Sequence, residues 1–380
     1  QRYYPVRKED GSLMPYFLTV RNGGDRAIRN VQIGNERVLR ARLDDAKFFF
    51  DGDRRKSLEG HREALSRINY QEGMGTMLDK SDRLVKLVEE IGEDWNFTDT
   101  EKSDVRRAAY LSKSDLATGM VTEFTELQGE MGKEYALLDG EKPKVAAAIF
   151  EQYMPRFAGD VLPKSSIGRA LSLSDKLDNL AATFLRGLIP TGSQDPFALR
   201  RQTIGAIHIL TDGEIHWDIR KGVKLALALL PGTQEEKEAA ANKVEDFFRQ
   251  RIKAILLDEG VDYDIVDAVL TGAVDDVYAI FLKAHSMMDS HVKGELEMRQ
   301  AVTRLVNITK GKTAVEIRPE LLTEEAEKNL YAALEKAGEE VTNAYNAYDY
   351  GSALPALKTL TVPINQFLDS VMVMVEEEAV

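Results

Sequence analysis

Arginine is the side chain through which this sequence can do most chemistry. Its planar guanidinium forks onto a phosphate with two parallel hydrogen bonds, which the point charge of lysine cannot imitate. The arginines fall in groups: Arg37, Arg40 and Arg42; Arg106 and Arg107; Arg200 and Arg201; and Arg304, with Asn307 and Lys310 following at i+3 and i+6. Helical spacing puts Arg304, Asn307 and Lys310 within about a third of the circumference, away from an apolar face of Ala301, Leu305 and Ile308. A cation beside an amide suits phosphate and base-edge contacts to unstacked RNA; the same stripe also reads as a solvated polar face. Each of the other arginines, taken singly, is more often half of a surface or structural ion pair.

Bond-making chemistry is harder to assemble. There are no cysteines, so disulfides, thiolate metal sites and cysteine nucleophiles are excluded, and a reducing, cytoplasmic location fits. No Gly-x-x-x-x-Gly-Lys-Ser/Thr loop is present to cradle ATP phosphates. Asn22-Gly23-Gly24-Asp25 is a turn without the helix N-terminus that phosphate binding uses. No nucleophilic triad is arguable. The formal charge of −13 argues against non-specific nucleic-acid binding, and no DNA partner is expected. The distribution qualifies that. Residues 1–62 carry 14 Lys/Arg against 9 Asp/Glu, so the acidic excess lies in the rest of the chain. A reader of folded RNA needs basic patches rather than a basic total.

The elements that must position these groups are mostly helical. At the start, Tyr16-Phe17-Leu18-Thr19-Val20 is strand-like and Asn22-Gly23-Gly24-Asp25 a turn. Residues 1–32 are read as a β-rich fringe of a domain whose body lies upstream. From about Gly34 the period is helical, with Leu39, Leu43, Ala46 and Phe50 forming one buried face and Arg37, Arg40, Asp44 and Lys47 a charged one. Helices are expected over about 80–92, ending near Gly92, and from the capping box Thr98-x-x-Glu101 past Leu111. Others follow over about 143–153, 168–187, 196–210 and 217–230. Asp195 and Pro196 read as N-cap and first helical residue. Pro231-Gly232-Thr233-Gln234 breaks the chain, and a second box, Thr233-x-x-Glu236, opens a helix to about Asp258. Thr323 is expected to cap a helix over 324–337 closed by Gly338, and Met372 and Met374 to be core. Glu376-Glu377-Glu378-Ala379-Val380 stops in helical register. No run of eighteen apolar residues suggests a membrane span, and the N-terminus lacks the apolar region of a signal peptide.

Two resemblances give these elements a function. Leu171-Ser172-Leu173-Ser174-Asp175-Lys176-Leu177-Asp178-Asn179-Leu180 resembles the last motif of HD-type helical domains, in which the residue matching Asp175 is a metal ligand. HD phosphohydrolysis also requires an earlier histidine and an adjacent His-Asp pair, because imidazole and carboxylate together hold the divalent metal that activates water. The five histidines here, His61, His208, His216, His285 and His291, are followed by Arg62, Ile209, Trp217, Ser286 and Val292. None makes the pair, and no histidine stands in Ala108–Asp115. The reading is a degenerate HD-like domain over 33–230 without a metal, Asp175 being capping or salt-bridged.

The second resemblance is to the β-subunit of the bacterial heterotetrameric glycyl-tRNA synthetase. It is carried by Pro190-Thr191-Gly192-Ser193-Gln194-Asp195-Pro196-Phe197-Ala198-Leu199-Arg200-Arg201, by Lys113-x-Asp115-Leu116-Ala117-Thr118, by Pro155-Arg156-Phe157-Ala158-Gly159-Asp160 and by Gln71-Glu72-Gly73-Met74-Gly75-Thr76. Weaker blocks follow in order, among them Val261 to Leu270, Val302 to Ile308 with Thr303 where the family has Lys, and Tyr350 to Met374. The resemblance implies a mainly α fold ending, over 235–380, in a helical anticodon-binding bundle like that of arginyl-type synthetases. It implies glycine tRNA as partner and an α-subunit in an α2β2 assembly, with ATP and magnesium used in the α-subunit and no cofactor here. The chain would cover roughly the C-terminal half of β. The competing readings are an HD-type metal-dependent phosphohydrolase and an assembly scaffold that never touches RNA.

Overall fold

The computed structural model describes residues 3–192, 194–289, 296–310 and 317–371. Ser193, His291, Met372, Met374 and residues 376–380 lie outside them. The fold is mainly α, with a single two-stranded sheet among the described residues. The chain divides into two compact units, residues 1–55 and 56–380.

The first unit is a hairpin and one long helix. β1 (Tyr4–Arg7) pairs antiparallel with β2 (Leu13–Leu18), Tyr4 opposite Leu18 and Arg7 opposite Leu13, around a turn where Gly11 adopts φ +82°. α1 spans Ile28–Asp53. It therefore begins six residues before the expected start and runs through both Gly34 and Gly52. A single glycine costs a helix about 1 kcal/mol and does not by itself end it. The boundary expected at 32/33 falls inside this helix. The face of Leu39, Leu43, Ala46 and Phe50 is present but only partly covered: Leu43 is 61% exposed and the other three are half-buried. Between hairpin and helix runs a groove of about 970 Å3, lined in part by Tyr3, Phe17, Leu39, Arg40 and Leu43.

The second unit is wholly helical among its described residues. Its first half comprises α2 (Leu58–Arg62), α3 (Met77–Asp94), α4 (Asp99–Leu111), α5 (Gly119–Glu123), α6 (Glu130–Leu138), α7 (Pro143–Glu151), α8 (Ser166–Leu185), α9 (Leu199–Asp212) and α10 (Ile219–Ala228). α11 (Gln234–Asp258), α12 (Tyr263–Val269), α13 (Val277–Asp289), α14 (Leu296–Thr309), α15 (Glu325–Asn346), α16 (Tyr350–Lys358) and α17 (Thr361–Ser370) follow.

Both expected capping boxes form, Thr98 with Glu101 and Thr233 with Glu236. A third joins them, Thr76 with Asp79, which starts α3 three residues early. α3 ends at Asp94, two residues past Gly92. Gly92 is buried against Phe97, whose ring leaves only 3.3 Å to where a side chain would begin. Gly338 lies within α15 and does not close it; Glu324 rather than Thr323 is the N-cap residue, and the Glu327 carboxylate accepts the N–H groups of both.

α8 is the central post of this unit. Leu171, Leu173, Leu177, Leu180 and Ala181 on it are fully buried, and α3, α4, α7, α9, α10 and α11 all pack around it. A helix buried on nearly every side stands in the middle of its bundle, whatever polar residues it carries. α10 and α11 pack together across the turn at 231–233, and α11 also contacts α8, α9 and α12. Beyond it, α13 meets α16, and α15 gathers α16 and α17.

Candidate functional site

Being central, α8 must bury whatever polar residues its motif carries. It presents Asp175, Asp178 and Asn179 toward Lys80 and Arg83 of α3 and Lys113 of the turn after α4. Lys80 Nζ lies 3.0 Å from Asp175 Oδ1, 2.9 Å from Asp178 Oδ2 and 2.8 Å from Asn179 Oδ1. Lys113 donates to Asp175 Oδ2 at 3.0 Å, and Arg83 forks onto Asp178 through Nε at 2.6 Å and an outer nitrogen at 3.1 Å. Tyr70 donates to Asn179 at 2.8 Å. The Tyr153 ring lies 4.1 Å beneath the Lys113 ammonium.

These charges set one another's titration. Burial pushes the Asp175 carboxyl up, but Lys113 and Lys80 outweigh it and hold the group well below the usual carboxylate range. Burial pushes Lys80 down, and Asp175 and Asp178 more than reverse this. For Lys113 burial prevails, reinforced by the charge of Lys80. Lys176 next along α8 donates to the Met154 carbonyl at 2.6 Å and to Ser172 at 2.7 Å, and burial takes it down to about 7. Asp115 accepts from the Gly129 N–H at 2.6 Å and is raised by burial.

A divalent metal does not fit this donor set. Metal sites need several anionic or imidazole donors converging on one point, whereas each oxygen of Asp175 faces an ammonium group. His61, His208, His216 and His285 stand on α2, on α9, in the turn before α10 and on α13. Among the described residues no three His, Asp or Glu side chains gather so as to hold a metal ion. Asp175 is salt-bridged, and the two lysines supply the positive charge its carboxylate requires.

The arginines are dispersed. Arg37, Arg40 and Arg42 sit on exposed positions of α1 in the first unit, with Arg40 lining its groove. Arg106 pairs with Glu89 at 2.6 Å in a shallow groove that also holds Glu90 and Glu93. Arg107 ties α4 to Glu141 at 2.5 Å and to Glu59 of α2 at 2.9 Å, bonds that raise its pKa further. Both fit structural ion pairs.

The Asp195-Pro196 start is displaced. α9 begins at Leu199, and Asp195 caps it from four residues upstream by accepting the N–H groups of Leu199 (2.8 Å) and Arg200 (2.9 Å). Pro196 and Phe197 lie in the connecting turn, with Ala198 at φ +53°. Arg200 and Arg201 thus occupy the first turn of α9; Arg200 donates to the Gly192 carbonyl at 2.7 Å and Arg201 is exposed.

On α14, Ala301 is buried, Leu305 and Ile308 half-buried, and Arg304, Asn307 and Lys310 exposed, as the helical spacing requires. Arg304 reaches α17, where it donates to Asp369 at 3.0 Å and Asn365 at 3.3 Å. Sequence reasoning missed Lys80 and Lys113, because a lysine in an amphipathic stretch reads as solvated until the fold buries it. It also missed Arg251, which α11 brings near Arg200.

The family model described as Glycyl-tRNA synthetase beta subunit matches residues 1–271, well over half of the chain. The chain belongs to the glycyl-tRNA synthetase β-subunit family. A second model, the DALR anticodon binding domain, matches residues 298–380, which hold most of α14 and all of α15 to α17. Among similar proteins are the glycine–tRNA ligase β subunits of Clostridioides difficile, 44% identical, Desulforamulus reducens, 42%, and Bacillus subtilis, 39%. Each alignment takes in all of this chain and 54 to 55% of the relative. The chain therefore spans about half the length of the curated β subunits it matches. Among the described residues no helix is long and apolar enough to cross a membrane.

Proposed function

We propose that this chain is the tRNA-gripping, non-catalytic part of a glycine–tRNA ligase β subunit. It recognises glycine tRNA in the cytoplasm, while an α-subunit partner in an α2β2 assembly forms the adenylate with ATP and magnesium. The observation that carries the reading is the match of residues 298–380 to an anticodon-binding module, joined to a body of the β-subunit family. The exposed edge of α14, with Arg304, Asn307 and Lys310, supplies cation and amide groups of the kind that meet phosphate and base edges. The engagement of Arg304 by Asp369 and Asn365 makes it a group that must exchange partners when RNA arrives. The ammonium-filled surroundings of Asp175 speak against the phosphohydrolase alternative.

Binding of this kind releases counterions, so affinity should fall steeply between about 50 and 200 mM salt. Filter binding of the whole chain to glycine tRNA, with other tRNAs as competitors, tests this. Preference for glycine tRNA with a steep salt slope supports the reading; equal affinity for all tRNAs, or none at low salt, overturns it.

A further inference from the structure

α9 and α11 pack against each other, and each carries an arginine, the charge of Arg200 acting on that of Arg251. Arg200 stands in the first turn of α9 and Arg251 toward the end of α11. Arg251 lies over the Phe247 ring, 4.5 Å from guanidinium carbon to ring centre. Its Nε is shut off from solvent without a hydrogen-bond partner, and an outer nitrogen reaches the neutral amide oxygen of Gln250 at 3.2 Å. Arg200 is held by a neutral acceptor, the Gly192 carbonyl. Among the described residues neither arginine has a carboxylate in ion-pair contact.

Asp195 is the acidic group acting on Arg251, and its two oxygens are already committed to the N–H groups of Leu199 and Arg200. Burial, with the nearby Arg200 charge second, lowers the pKa of Arg251 below the ordinary arginine value. Two guanidinium groups within each other's field, one of them partly desolvated with a donor left unused, are unfavourable unless an anion joins them.

We propose that Arg200 and Arg251 form a phosphate cleft that takes a phosphodiester of bound RNA. This rests on the tRNA-binding reading above, and extends the contact surface from the anticodon-binding module to the body of the protein. Phe247 holds the Arg251 plane in place. Gly192, which accepts from Arg200, and Asp195, which caps α9, hold the other half. The cleft is indifferent to base sequence, because phosphate contacts position an RNA without reading it.

The test uses the whole chain, with Arg200→Gln, Arg251→Gln and the double variant checked for native melting temperature. Each single change should weaken glycine tRNA binding about 5- to 10-fold and flatten the log–log salt slope by about 0.9 for the phosphate lost. The double change should cost less than the product of the two, since both act on one phosphate. Arg251→Lys, which keeps charge but loses the fork, should not restore full affinity. Wild-type affinity and slope in folded Arg251→Gln would overturn the proposal.

A second arm measures thermal stabilisation by inorganic phosphate. If phosphate stabilises the wild type but not Arg251→Gln while tRNA binding ignores the change, the cleft takes free phosphate and the RNA assignment is overturned. If the wild-type chain binds no tRNA, the functional reading fails and the RNA assignment with it. A phosphate effect lost in Arg251→Gln would then leave an anion cleft of another purpose.

Discussion

Replacing Asp175 by asparagine probes the buried charge cluster most sharply. The change preserves volume and removes one negative charge. Lys80 keeps Asp178 at 2.9 Å and Asn179 at 2.8 Å, so it is not stranded. Lys113 loses the carboxylate 3.0 Å away, and the raised pKa of Asp115 makes that residue a poor substitute. One buried ammonium is thus left unpaired. Breaking a buried ion pair from one side costs about 3–5 kcal/mol, which in a unit running from residue 56 to 380 lowers the melting temperature by roughly 4–7 °C. Thermal unfolding followed by far-ultraviolet circular dichroism at pH 7 reads this directly. Raising the pH should narrow the gap, because Lys113 can then shed its proton, and Lys113→Met combined with Asp175→Leu should recover much of the loss. A change under about 2 °C for Asp175→Asn would refute the reasoning. So would a chelator that destabilises the wild type and not the variant, since that would mean Asp175 holds a metal.

Lys176, brought down to about 7 by burial, gives a pH signature. Below that value folded and unfolded chains both carry the ammonium and the fold bears its full burial cost. From there to the ordinary lysine range the unfolded chain binds the extra proton, so stability rises with pH. Lys176→Met should flatten that rise in urea midpoints taken between about pH 7 and 10; an unchanged slope would be the contrary result. Asp195→Ala should cost about 1–2 kcal/mol of stability through the lost α9 cap, measured by denaturant unfolding, and a neutral outcome would contradict the capping geometry. Arg304→Ala breaks an exposed pair and should change stability by less than about 1 kcal/mol, while weakening tRNA binding in a gel-shift titration; unchanged affinity would remove it from the RNA site.

Much of the architecture was legible because it rests on local chemistry. Thr98 and Thr233 announce helix starts through oxygens that only helix N-termini use in that pattern, and both form. The stripe on α14 follows from helical geometry alone, and its exposure pattern obeys it. What escaped depends on tertiary context. Gly338 reads as a stop, but a glycine ends a helix only when the backbone turns left-handed there, and α15 runs on through it to Asn346. Asp195-Pro196 reads as a cap and first turn, but the chain makes one more turn through Ala198 before α9 begins, so the carboxylate reaches across four residues. The missing histidines left Asp175 as a capping or a salt-bridged residue; the structure decides for the salt bridge and supplies its partners. Lys80 and Lys113 are 33 residues apart in sequence and meet only because α3 and the end of α4 both pack on α8.

A nuclease footprint of the whole chain on glycine tRNA shows whether and where this chain grips RNA. Protection of the anticodon arm by the C-terminal helices is expected, diminished at higher salt and weaker on a non-glycine tRNA. Uniform cleavage of glycine tRNA at low salt, with and without the protein, would contradict the tRNA-binding reading.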